Sequence, residues 1–130
     1  MRAIKIDVIK KEVYEVDIVG DRLSMCKELD ADGYDSVRIA KAEMLWVDGE
    51  GLLRKPPLGA FMFHPYPQAL PGHGLIIGLR GPENADTKLT LEEVRESVEF
   101  VGISELPVPV IQFASFDTMK EMEEFIKNNR

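Results

Sequence analysis

The two histidines, His64 and His73, are the side chains best suited to chemistry near neutral pH. They lie nine residues apart in a proline-rich loop, close enough to converge on one site. A neutral imidazole can bind a metal ion or transfer a proton. With Asp48 or Glu50 they could complete a site of two histidines and one carboxylate. The spacing matches none of the helical metal-ligand motifs, so ordinary loop histidines are the simpler interpretation.

Flat rings and positive charges are concentrated in the same part of the chain. Such a mixture suits the hot spot of a protein interface, or a small anionic ligand such as a nucleotide, stacked on a ring and held by arginine. Prolines and glycines predict a rigid loop that holds these groups outward. Alternatively the rings belong to the core. We favour this interpretation for Phe61 and extend it to Trp46, but not to Tyr66, which two prolines hold in an extended loop. The candidate binding residues are Trp46, Arg54, Phe63, His64, Tyr66, His73 and Arg80.

Other catalytic and cofactor motifs are missing from the sequence. There is no Gly-x-Ser-x-Gly element for a nucleophilic serine. Gly72-x-Gly74 precedes a predicted strand rather than a helix, so it does not form a phosphate-binding loop. Cys26 is the single cysteine, which excludes an internal disulfide and a zinc site built on cysteines. We therefore predict no cofactor and no catalytic residue.

The size and charge of the chain restrict its class. Its 130 residues, 45% of them hydrophobic, suit one domain with a single core. The net charge of −7 and the pI of about 4.9 disfavour direct binding of duplex nucleic acid. The acidity serves either solubility or mimicry of nucleic acid, and solubility is the simpler reading. No apolar run approaches the ~18 residues of a membrane span. The absence of a signal segment and the lone cysteine predict a cytoplasmic protein with no membrane contact.

Alternation of apolar and polar residues predicts most of the strands. Residues 2–9 and 14–18 read as an antiparallel hairpin. A run of apolar β-formers at 74–79 predicts a buried strand, around which glycines serve as turn and close-packing positions. A tight turn at Asp48-Gly49 should fold the preceding strand back toward residues 52–53. The other predicted strands are 37–39, 43–47, 61–63 and 108–114.

Three short helices are predicted from their capping residues. Asp21, Thr90 and Thr118 each lie where a side chain can cap a helix start, and the last two have capping-box spacing. The predicted inner faces are Leu23, Cys26 and Leu29 in the first helix, Leu91, Val94 and Val98 in the second, and Met119, Met122 and Ile126 in the third.

These elements predict an α+β fold in a single domain spanning residues 1–130. A mostly antiparallel or mixed sheet is covered by two or three short helices. Residues 30–35 should form a turn with Gly33 at a positive φ. Residues 80–87 are expected to be a polar loop.

Several short motifs are shared with a known family. They are an acidic turn followed by Gly-Leu-Leu at 47–53, Pro56-Pro57-Leu58 with Ala60, Gly-Leu-Ile-Ile-Gly at 74–78, and the opening at 3–7. By these motifs the chain resembles the uncharacterised domain of unknown function 3846, met in bacterial, phage and plasmid proteins. The resemblance covers residues 1 to about 100, with 101–130 as an added strand and helix. It implies a small accessory protein of mobile elements and assigns no catalytic residues. The aromatic loop at 61–73 is longer than the family pattern.

Three functions from different classes follow. The one we favour is a non-catalytic binding or interaction protein, as a phage- or mobile-element accessory factor, whose partner is another protein or a second copy of itself. The first alternative is a protein that binds or sequesters a small, nucleotide-like ligand. The second alternative is a metal-dependent enzyme that uses His64 and His73.

Overall fold

The computed structural model of the chain describes residues 1–49 and 58–106. The strands within these ranges are β1 (Arg2–Asp7), β2 (Glu12–Asp17), β3 (Tyr34–Ala40), β4 (Glu43–Asp48), β5 (Ala60–Phe63), β6 (Leu70–Pro71), β7 (Gly74–Arg80), β8 (Glu83–Ala85) and β9 (Val98–Val101). The helices are α1 (Arg22–Leu29), α2 (Leu91–Ser97) and a 3-10 helix at Ile103–Glu105.

The strands form a larger and a smaller sheet. The larger has the order β2-β1-β7-β4-β3, with β8 also paired to β7, and the smaller has the order β6-β5-β9. Every pairing between the described strands is antiparallel. The fold is therefore α+β with a mostly antiparallel sheet, as the sequence predicts.

The larger sheet is covered on both faces. Successive residues of a strand point to opposite sides, and β7 shows this directly. Its Leu75 and Ile77 belong to an apolar cluster with Met25 and Leu29 of α1. Its Ile76 belongs to a second cluster, formed with residues of the smaller sheet and of α2 that include Phe61, Phe63 and Val94. Thus α1 lies on one face of the larger sheet, while the smaller sheet and α2 lie on the other.

Both helix caps in the described ranges are confirmed. The carboxylate of Asp21 accepts a hydrogen bond from the N–H of Ser24 at 2.9 Å. At α2, the Thr90 hydroxyl accepts from the N–H of Glu93 at 3.1 Å. The Glu93 carboxylate in turn accepts from the N–H of Thr90 at 2.9 Å. Each cap satisfies backbone donors that a helix start leaves without an internal partner.

The predicted inner face of α1 is right for Leu29 and wrong for Leu23. Met25 and Leu29 are buried, whereas Leu23 is 79% exposed and Cys26 is half-buried. Met25 and Leu29 lie four residues apart and so share a face. Leu23 precedes Met25 by two residues, which places it about 200° around the helix. The i, i+4 pair faces the sheet, and Leu23 therefore faces outward.

The second helix is one residue shorter than the predicted pattern requires. Val94 is buried as predicted, but α2 ends at Ser97 and Val98 begins β9. Val98 pairs with Phe63 of β5. The carbonyl of Ser97 accepts a hydrogen bond from the N–H of His64 at 2.8 Å. Pairing with β5 thus replaces the next helical turn.

Two loop predictions are also wrong. Gly33 is not in the left-handed region, and Asp30 takes that conformation instead, with φ of 53° at the C-cap of α1. A short aspartate side chain tolerates this conformation better than most residues. Residues 80–87 are not all loop, because residues 83–85 form β8. β1 pairs with residues 74–76 of β7. After a turn at Gly81 the chain returns as β8, which pairs antiparallel with the end of β7, from Gly78 to Arg80.

Three predictions fall outside the described residues. These are the fold-back of the Asp48-Gly49 turn toward residues 52–53, the strand at 108–114 and the terminal helix capped by Thr118.

Close packing at Gly78 gives a test of the layered core. A Cβ at this position would lie 3.0 Å from the carbonyl carbon of Asp86 and closer still to its oxygen, and backbone cannot yield as a flexible side chain would. We expect Gly78→Ala to lower the free energy of unfolding by about 1 to 3 kcal/mol, the usual cost of overpacking. Urea denaturation measures it.

Gly102→Ala is the matched control. Gly102 has φ of −75°, and its added Cβ would approach no atom closer than 3.6 Å, the Ser104 hydroxyl. This variant should keep its stability or gain up to about 1 kcal/mol. If the two variants had equal free energies of unfolding, the close approach of the Asp86 backbone to Gly78 would be contradicted.

Candidate functional site

The predicted binding residues lie in different environments. Phe63 and His73 are buried, Trp46 and Tyr66 are half-buried, and His64 and Arg80 are exposed. Arg54 and the weak metal candidate Glu50 lie outside the described residues. The structure therefore does not gather the described candidates into one outward-facing surface.

His73 is an interior residue, only 5% exposed. Its Nδ1 atom accepts a hydrogen bond from the N–H of Val8 at 3.2 Å and lies 3.6 Å from a carboxylate oxygen of Asp7. Val8 directly follows β1, and His73 directly precedes β7. The imidazole thus links the adjoining ends of two paired strands.

Asp7 is also only 5% exposed, and its carboxylate is held by several donors. One oxygen accepts from the N–H groups of Ile9 and Lys10, each at 3.0 Å. The other accepts from the hydroxyl of Tyr14 at 2.9 Å. Burial alone would raise the pKa of Asp7. The bonds from Lys10 and Tyr14, with help from His73 and Ile9, outweigh burial and hold the pKa below its usual 3.8.

Tyr14 is the complementary partner in this pair. Burial and the hydrogen bond to the negatively charged Asp7 raise the pKa of Tyr14 to about 12. The phenol therefore keeps its proton through the neutral range and acts as a donor. Together, Asp7, Tyr14 and His73 fasten the β1–β2 turn to the start of β7.

His64 has a different partner from His73. Its Nε2 atom lies 2.9 Å from a carboxylate oxygen of Glu99, and the two side chains are 51% and 59% exposed. Within residues 1–49 and 58–106, no group of three or more His, Cys, Asp or Glu side chains is placed to hold a metal ion. His64, His73 and Asp48 are therefore not assembled into the metal site considered from the sequence.

Trp46 packs on the α1 side of the larger sheet, away from the smaller sheet. Its ring meets that of Tyr34 edge to face, with centroids 5.1 Å apart and planes at 82°. Its indole nitrogen is buried and has no hydrogen-bond partner in the described part of the chain. The Trp46 ring packs against the apolar cluster beneath α1.

Tyr66 does line a cleft. It shares a depression of about 460 Å³ with Leu70 and Pro71 of the smaller sheet, and with Asp35 and Asp48 of the larger one. Tyr66 also packs against the core cluster between the sheets. Of the predicted candidates, Tyr66 and Asp48 are the pair that the structure brings to one cavity.

A depression of about 780 Å³ lies on the outer side of α1. We call it the α1 surface, and its residues are Arg22, Leu23, Cys26, Lys27, Asp30, Ala31 and Asp32. Sequence reasoning missed it because Leu23 was assigned to the buried face. The i, i+4 spacing of Met25 and Leu29 is the sequence feature that favours an outward-facing Leu23.

Comparisons of the chain with protein-family models, with curated proteins and with solved structures find no match. The resemblance to the domain of unknown function 3846 therefore stays a prediction. In the described ranges, neither α1 nor α2 has the length and apolarity needed to span a bilayer.

The bond between Tyr14 and Asp7 gives the second prediction. Tyr14→Phe removes the donor, and a hydrogen bond to a charged group contributes about 1.5 to 3 kcal/mol. We expect the free energy of unfolding at neutral pH to fall by about 1 to 2 kcal/mol, measured by urea denaturation. Tyr34→Phe is the control, because the described contacts of Tyr34 are those of its ring with Trp46 and Arg22, which phenylalanine keeps.

The effect should depend on pH. The folded pKa of Asp7 lies below the unfolded value of 3.8, so the ionised carboxylate stabilises the fold above that pH. This contribution is lost as the pH falls through the folded pKa. The cost of Tyr14→Phe should therefore shrink in acid. A cost that stays constant into strong acid would contradict the assignment.

Proposed function

We propose that the protein is a non-catalytic interaction protein that binds a second copy of itself through the α1 surface. One observation carries the proposal: Leu23 is 79% exposed on the wall of a depression of about 780 Å³. Val19, two residues before the cap of α1, is 75% exposed. Exposed apolar patches mark interaction sites on soluble proteins, and Leu23 supplies the apolar part of the α1 surface.

Burial of Leu23 supplies the driving force for association. Moving a leucine side chain fully out of water is worth about 1.5 to 3 kcal/mol. A two-fold symmetric interface uses the same patch twice, so each copy contributes one Leu23. Cys26 and Ala31, in the same surface, are small enough to let the backbone of a partner approach.

Charge favours a second copy as the occupant. The charged residues of the α1 surface are two cations, Arg22 and Lys27, and two anions, Asp30 and Asp32, so its formal charge is zero on a chain of −7. Two acidic molecules repel least through a face that is itself neutral and carries both signs. Arg22 is already positioned, because it donates to the carbonyl of Asp32 at 2.9 Å.

The buried polar residues support a non-catalytic role, because they serve the fold. Asp7 and His73 join strand ends. The carboxylate of Glu43, also buried, accepts from the hydroxyl of Thr87 and from the N–H of Lys88. The resemblance to a family of mobile-element proteins adds a host protein as the alternative partner on the same surface.

Leu23→Glu tests the proposal. We expect the unaltered chain to be a dimer at micromolar concentration in size-exclusion chromatography with light scattering. The variant should be a monomer, because it would bury two carboxylates against each other. Ile9→Glu is the matched control. Ile9 is 63% exposed on the β1–β2 turn, outside the α1 surface, and this variant should remain a dimer.

The single cysteine gives a second, independent measurement. Cys26 lies in the α1 surface, so a short bismaleimide should join two copies through it. Leu23→Glu should abolish this cross-link, and Ile9→Glu should preserve it. A chain that stays monomeric over the whole concentration range, or a dimer indifferent to Leu23→Glu, would refute the proposal.

A further inference from the structure

We infer that a second cleft, between β2 and the α2–β9 unit, binds a small molecule that joins an anionic group to a flat ring. This β2–α2 cleft has a volume of about 440 Å³, and its walls include Lys11, Glu12, Tyr14, Arg95, Val98 and Phe100. It involves none of the α1 surface residues, so it is independent of self-association.

A fixed guanidinium is the first part of the argument. The Nε and Nη2 atoms of Arg95 donate to the carbonyl of Val13 at 3.3 and 3.0 Å. These bonds use two of its five N–H groups. The other three donate to no residue that the structure describes. Arg95 is thus held in place by the edge of β2 while keeping donors for a ligand, and a pre-positioned side chain loses little entropy on binding.

The local charge is the second part. Lys11 and Arg95 line the cleft together with one acid, Glu12. Behind the lining residues, Lys10 lies 5.4 Å from the centre of the Tyr14 ring, and its charge is offset by Asp7, which accepts from the Tyr14 hydroxyl. Among the side chains that line the cleft, cations therefore outnumber acids by two to one, whereas the whole chain carries −7. A cleft with one prevailing sign concentrates ions of the opposite sign.

An apolar wall is the third part. Val98 and Phe100 alternate with Glu99 along β9, so their side chains lie on the same face of the strand. Both are half-buried and pack against the core cluster between the sheets, which fixes their positions. Phe100 offers a rigid ring beside the cleft, and aromatic rings stack on such surfaces.

These three features define the ligand class. The apolar wall selects a flat ring, and Arg95 with Lys11 selects a negative group attached to it. An aromatic phosphate ester and an aromatic carboxylate share this chemistry. The sequence predicts a similar combination on the proline-rich loop, part of which lies outside the described residues. The β2–α2 cleft combines rings and cations from segments more than eighty residues apart.

Four probes measure the separate contributions of the ring and of the negative group to binding. Adenosine monophosphate and indole-3-acetate carry both a ring and a negative charge, whereas adenosine and inorganic phosphate each carry one. We expect at least one of the first two to give saturable NMR shifts at Arg95 and Phe100 in the full chain. The single-feature probes should bind at least about tenfold more weakly. The stronger of the two aromatic anions identifies the group as a phosphate ester or a carboxylate.

Variants locate the binding. Arg95→Gln should weaken the aromatic anion at least about tenfold, which corresponds to about 1.4 kcal/mol. Because Arg95 also ties α2 to β2, Lys11→Asn gives a second measurement. Lys11 has φ of 57°, which asparagine tolerates, so this variant removes a charge without strain. Arg38→Gln, on the exposed side of β3, is the charge-matched control and should bind normally.

Two results would overturn the inference. The first is that neither aromatic anion shifts the cleft residues at millimolar concentration. The second is that a folded Arg95→Gln or Lys11→Asn variant binds as tightly as the unaltered chain. Equal binding of adenosine and adenosine monophosphate would also count against it, since the cations would then contribute nothing.

Discussion

The fold depends on one strand that is buried on both faces. In β7, Leu75 and Ile77 are fully buried toward α1, and Ile76 is fully buried toward the smaller sheet. Gly74 lies against the smaller sheet, where a Cβ would lie 2.8 Å from the Phe61 ring, so the absence of a side chain allows the close packing. Since β7 also pairs with β1, β4 and β8, its position fixes both layers. The α1 surface and the β2–α2 cleft consequently belong to different sides of the molecule.

The polar residues inside this frame hold the strand ends together. A buried polar group without a partner costs about 1 to 3 kcal/mol, so a fold that encloses one must provide a hydrogen bond. His73 receives one from the backbone of Val8, and Asp7 receives three. Their role here is visible only when the strands that surround them are in place.

Local signals in the sequence predicted local structure well. The caps at Asp21 and Thr90 and the buried strand at 74–79 follow from spacing alone, because the interactions lie within a few residues. The inner face of α1 could not be predicted from spacing alone. In a helix of eight residues, Leu23 and Met25 are both plausible inner residues, and contact with the sheet determines that Met25 is the buried one. The contact of Arg95 with Val13 joins residues 82 apart. No periodicity can predict it, and the β2–α2 cleft was therefore missed.

The net charge links the two proposed surfaces. A chain of −7 repels other copies of itself and anions over most approaches, and this repulsion weakens as salt screens it over about 10 Å. Association then requires surfaces on which the excess of negative charge is cancelled or reversed. The α1 surface is neutral, with cations and anions intermixed, and it exposes Leu23. In the β2–α2 cleft the sign is reversed, because Lys11 and Arg95 outnumber the one acid. In the two proposals the acidity therefore has one physical role: repulsion elsewhere on the chain favours the first surface for a like-charged copy and the second for a small anion.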